Sequence, residues 1–185
     1  MFVLGVGIGL DQGRSALAVV EAQGDTNNLR HLEHAPLGLE SADTVKRILL
    51  LTASLPRCSL VIDEAGPGRS IIDQLRAEDR YPIDVSITGA GRVSFDHGCY
   101  MVPLAELANG LQTGLKDGHF KIDQALPEAH SLEMAFTEFG RVVNQRGRED
   151  GAVKGGQWDS VLAIALAVWW LDFTDTKDYK LHSTR

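Results

Sequence analysis

The sequence predicts an α/β fold: a mixed β-sheet opened by an antiparallel three-strand meander, continued by parallel strands and flanked by helices. Three observations carry this. Strand-like runs joined by short polar turns fill residues 1–35. From residue 41 onward, helical periodicity alternates with short apolar runs, the pattern of a parallel sheet with crossover helices. Leu60-Val61-Ile62 is wholly apolar, as in a strand covered on both faces, and it stops at Asp63-Glu64 before Gly66-Pro67-Gly68.

In residues 2–10, Phe2, Leu4, Val6, Ile8 and Leu10 alternate with Gly5, Gly7 and Gly9. Side chains alternate across a strand, so one face is greasy and the other nearly bare backbone, open to close approach. Asp11-Gln12-Gly13-Arg14 supplies a turn, residues 16–22 a second strand, and residues 29–35 a third after the polar turn at 24–28. Residues 41–55 read as a helix, with Val45, Ile48, Leu49 and Thr52 on one face and Pro56 past its end. The buried strand 59–63 follows, then a helix from about Arg69 with Ile71, Ile72 and Leu75 inward, then a strand at 83–87. Gly89 to Gly98 reads as an exposed loop before an extended stretch at 99–102. Pro103 suits the first turn of a helix striped by Leu104, Leu107, Leu111 and Leu115. Phe120-Lys121-Ile122 is a short edge element, and Pro127 begins a helix carrying Leu132, Ala135, Phe136 and Phe139. Residues 146–156 are charged and Gly-rich, as in a loop. The last helix opens near Asp159 and is apolar almost all round, which predicts a well-buried position.

At 185 residues, the chain reads as one domain over 1–173 with a polar tail at 174–185. A net charge of −7 argues against tight non-specific nucleic-acid binding. Cys58 and Cys99 lack metal-ligand spacing and are too few for a disulfide framework, which points to a reducing, cytoplasmic setting. The apolar run 161–171 is too short to span a bilayer, and the N-terminus lacks the features of a signal peptide.

The glycine-rich start is not a phosphate loop. A Walker A loop would need glycine at Ile8 and lysine at Arg14, and the dinucleotide fingerprint also fails. A looser pattern at Gly7, Gly9 and Gly13 keeps a Rossmann-like reading open, which would require residues 16–22 to be a helix, and a nucleotide site of the sugar-kinase and actin kind rests on Leu10-Asp11-Gln12-Gly13 alone. The carboxylates offer more. Asp63 ends a buried strand and Asp159 opens a buried helix, where its ordinary role would be an N-cap worth ~1 kcal/mol. Carboxylates reaching one spot from a strand end and a helix start can hold two divalent ions for phosphodiester hydrolysis. Such a site usually needs a third acid on the first strand, where Asp11 is the candidate.

The three-strand start, Asp63-Glu64-Ala65-Gly66-Pro67-Gly68, Val85-Ser86-Ile87-Thr88-Gly89, Met101-Val102-Pro103 and the helix from Asp159 to Ala167 follow one another in a specific order. In that order the chain resembles the ribonuclease H-like nuclease domain of phage terminase large subunits, from Phe2 to about Trp170. The resemblance implies a two-metal DNA endonuclease using Mg²⁺ or Mn²⁺, with Asp63 and Asp159 as metal ligands, Asp11 as a third and Glu64 as a weaker one. It also implies double-stranded DNA as substrate and a packaging ATPase as partner.

The departures from that family are specific. Gly7 occupies the position of its first-strand aspartate, and Asp11, four residues later, lies about 13 Å further along an extended strand. Trp158 replaces the first of two adjacent acids on the last helix, and Leu104 stands where a basic residue is common. The expectation is weakened or abandoned cleavage. The competing class is a non-catalytic relic or protein-binding module on the same fold.

Overall fold

The computed structural model describes residues 1–8, 15–34, 41–146 and 157–182. Its strands are β1 (Phe2–Gly7), β2 (Ala16–Gln23), β3 (Thr26–His34), β4 (Cys58–Asp63), β5 (Ile83–Thr88), β6 (Ser94–Asp96), β7 (Cys99–Pro103) and β8 (Phe120–Ile122). Its helices are α1 (Ser41–Ala53), α2 (Gly68–Ala77), α3 (Leu104–Asp117), α4 (Ala129–Arg146) and α5 (Trp158–His182). The strands form one mixed sheet in the order β6-β7-β5-β4-β1-β2-β3-β8. β1, β2 and β3 pair antiparallel, while β4 joins β1 in parallel and β5 joins β4 in parallel. Both edges are three-residue strands, short enough to limit unwanted pairing.

Two cores lie on opposite faces of the sheet, and the alternation along each strand sorts residues between them. Leu4, Val6, Ile8, Leu60 and Ile62 pack with Val45, Ile48, Ile71, Ile72 and Leu75 of α1 and α2. Val3, Val61, Val85 and Val102 pack on the other face with α3, α4 and α5. α5 lies across β1 and β2 and also touches α3 and α4. Sheet below and helices beside it explain why Ser160 to Trp169 are all buried and why the helix has no polar face there. Among the described residues, no helix is long and apolar enough to cross a membrane.

Several boundaries differ from the sequence reading. The third strand begins at Thr26, because its polar start is satisfied within the fold: Asn27 donates its backbone amide to the His119 carbonyl and its side-chain amide to Asp172. The expected loop before β7 contains β6, whose residues pair Ser94 with Met101 and Asp96 with Cys99. Pro103 closes β7 and caps α3 rather than entering it. Asp159 is the second residue of α5, in its first turn, not the cap. α5 continues past residue 174 to His182.

Candidate functional site

Burial at the end of β4 follows from its neighbours, since β1 and β5 flank it and helices cover both faces. Asp63 shares the parity of Val61, which places it on the α5 side of the sheet. Gly68 makes this corner possible: a Cβ there would lie 1.9 Å from the Asp63 carbonyl oxygen, so only glycine lets α2 start against the strand end. Asp63 is only 4% exposed, and its Oδ1 accepts a hydrogen bond from the Ala65 amide at 3.1 Å. Burial pushes its carboxyl above the usual carboxylate range, against the pull of the Ala65 amide.

Glu64 goes elsewhere. Its amide continues the pairing with β5 by donating to the Val85 carbonyl. Its carboxylate accepts from Arg69 at 2.9 Å and lies beside Cys99, whose thiol is pushed up to about 12, first by burial and then by Glu64. Cys99 is paired in register with Asp84, which has the parity of Ile62 and sits on the α2 side. Alternation along the strand therefore separates Glu64 from Asp63.

Asp159 reaches the α5 side of the sheet from the helix start. Burial raises its carboxyl and the neighbouring His34 opposes the rise. His34, the last residue of β3, is hydrogen-bonded through Nε2 to Ser160 Oγ at 2.6 Å. This histidine had no sequence signal, because only the β3–α5 contact across 126 residues brings it to the site.

Gly7 lies beside the two segments that carry these acids. The parallel register pairs Gly5 with Val61 and Val6 with Ile62, so the next position on β1 lies alongside Asp63. From Gly7, a Cβ would fall 2.2 Å from the Asp159 carbonyl oxygen. Gly7 therefore sits beside the end of β4 and against the backbone of Asp159, and it carries no side chain of its own. Asp11 lies outside the described residues. Among the described residues, no group of three or more His, Cys, Asp or Glu side chains is placed to hold a metal ion.

The other two departures are also packing positions. Trp158 meets Phe139 of α4 with ring centroids 4.7 Å apart, and Leu104 packs against the core that α5 shares.

No protein-family model and no curated protein matches this chain. Solved structures do. The large terminase nuclease from thermophilic phage G20c with bound magnesium superposes at a TM-score of 0.61 with 18% identity, covering 91% of this chain and 80% of that one. The large terminase from a second thermophilic bacteriophage gives 0.62 with 12% identity, covering 90% of this chain but 38% of that longer one. The fowlpox virus Holliday junction resolvase gives 0.51 with 14% identity, covering 94% and 99%. The G20c nuclease has also been solved with zinc and with cobalt. The mixed sheet, its flanking helices and these likenesses together give the chain the ribonuclease H-like fold of a phage large-terminase nuclease domain.

Proposed function

We propose that this chain is a terminase-nuclease-like domain of a phage or prophage DNA-packaging system in which phosphodiester cleavage is weakened or lost. The observation that carries this reading is Gly7: it stands beside Asp63, touches Asp159, and contributes no carboxylate. A two-metal nuclease would use Mg²⁺ or Mn²⁺ to neutralise the phosphate and activate water. With Asp63 and Asp159 alone, developing charge on a phosphate would be under-neutralised. Burial raises both carboxyls above their usual range, which disfavours their charged forms. Asp11 is the remaining sequence candidate for a third acid.

Double-stranded DNA and a packaging ATPase are the partners this context implies. A non-catalytic, protein-contacting role on the same fold is the second reading, supported by the net charge of −7, which works against a phosphate backbone.

The test is nicking of supercoiled plasmid in Mg²⁺ or Mn²⁺, comparing the wild type with Asp63→Ala. We expect wild-type cleavage at or near the Asp63→Ala background. Vigorous metal-dependent cleavage that Asp63→Ala abolishes would overturn the proposal.

A further inference from the structure

We infer that Gly5 and Gly7 form a built seat for the backbone of α5, and that this seat closes position 7 of β1, beside Asp63, to any metal-binding side chain. The inference rests on the nuclease-like reading and deepens it, because it states why position 7 itself carries no acid.

The match is geometric. Two residues along a strand span roughly 6.8 Å and four residues along a helix roughly 6 Å. Gly7 meets the carbonyl of Asp159 and the amide of Ala163, while Gly5 meets the carbonyl of Ala163 and the amide of Ala167. Each glycine therefore lies against one O···H–N bond of the helix, on successive turns, with strand and helix running in opposite directions. A Cβ at Gly5 would fall 2.0 Å from the Ala163 oxygen, and one at Gly7 would fall 2.2 Å from the Asp159 oxygen. These are backbone atoms of a buried helix, so no side-chain rotation relieves the overlap. Only Cα hydrogens fit, in the manner of weak Cα–H···O contacts.

α5 cannot easily retreat. Ala163, Ile164, Ala165, Leu166 and Ala167 are at most 1% exposed, packed between the sheet and the neighbouring helices. An aspartate at position 7 would have to lift this helix off β1 before its carboxylate could reach the space beside Asp63. A side chain at position 7 and the α5 backbone are alternatives for the same volume, and the α5 backbone occupies it.

The experiment uses the full chain with Gly7→Ala, Gly7→Asp and, as a control, Gly110→Ala. Gly110 sits in α3, and a Cβ added there would have Asp172 Oδ2 as its nearest neighbour at 3.9 Å, so alanine has room. Thermal unfolding and Mn²⁺ binding, read by the electron paramagnetic resonance of the free ion, are measured for each. We expect Gly7→Ala to lower the Tm by at least about 4 °C, while Gly110→Ala holds or raises it. Gly7→Asp should fall at least as far and bind no more Mn²⁺ than the wild type; failure of Gly7→Ala or Gly7→Asp to fold beside a folded Gly110→Ala is the same result in its extreme form. A Gly7→Ala protein with the wild-type Tm would overturn the inference, as would a folded Gly7→Asp protein that gains Mn²⁺ sites. Vigorous plasmid cleavage by the wild type would instead sink the weakened-nuclease reading and leave the seat standing, provided Gly7→Ala still loses stability.

Discussion

Arg76→Ala isolates the cost of a buried carboxylate in this fold. Asp84 on β5 is 3% exposed, and Arg76 of α2 donates to its Oδ2 at 2.6 Å. Among the described residues, Asp84 Oδ1 is the buried side-chain polar atom with no hydrogen-bond partner. Removing the guanidinium leaves the whole group unpaired. Breaking a buried ion pair costs about 3–5 kcal/mol, but the Arg76 side chain is 37% exposed, so solvent screening reduces the loss. Protonation sets a ceiling: from an unfolded pKa of about 3.9, neutralising the group at pH 7 costs roughly 4 kcal/mol. We therefore expect a loss of about 2 kcal/mol at pH 7. Burial already holds the Asp84 carboxyl above its ordinary range, more than Arg76 lowers it. A raised folded pKa means the carboxylate costs stability above its unfolded pKa, and that cost disappears as pH falls through the folded value. Arg76→Ala raises the folded pKa further, so its deficit should shrink between neutral pH and pH 5. Urea unfolding at both pH values measures this, with Arg76→Ala/Asp84→Asn as the double variant that recovers most of the loss. A loss below about 0.5 kcal/mol, or one that does not shrink on acidification, would refute the reasoning.

Gly5→Ala should destabilise by about 1–3 kcal/mol through overpacking against the Ala163 carbonyl, less the few tenths recovered from a stiffer unfolded chain; chemical denaturation reads it, and a neutral result would mean α5 does not rest on β1. His34→Ala should cost about 1–2 kcal/mol, because Ser160 Oγ, in a residue 1% exposed, loses its partner. A double-mutant cycle with Ser160→Ala should show most of that as coupling between the two sites, and additive losses would count against the hydrogen bond.

Much of the architecture was readable in the chain because burial leaves a periodic trace. The greasy and bare faces of β1, the continuous apolar run of β4 and the unbroken apolarity of α5 each announce how many sides are covered. Boundaries were less legible where polar residues are satisfied by distant partners, as Asn27 is by Asp172, or where a three-residue strand hides in a turn-rich segment, as β6 does. At the site, Asp63 and Asp159 could be nominated from strand end and helix start. Glu64 could not be separated from Asp63 without knowing that the chain stays extended through residue 64, which the Glu64–Val85 backbone bond decides. His34 left no local sign.

The amino-acid sequence by itself determined that β1 has a face without side chains, that acids stand at Asp63 and Asp159, and that Gly7, Trp158 and Leu104 stand where the resemblance to a nuclease family implies other residues. Those are properties of residue type and spacing, which local sequence carries. Only the tertiary structure decided what these residues pack against. Gly7 and Gly5 admit the α5 backbone, Trp158 packs on Phe139, and Leu104 joins the core, because a close-packed interior gives each volume to one occupant.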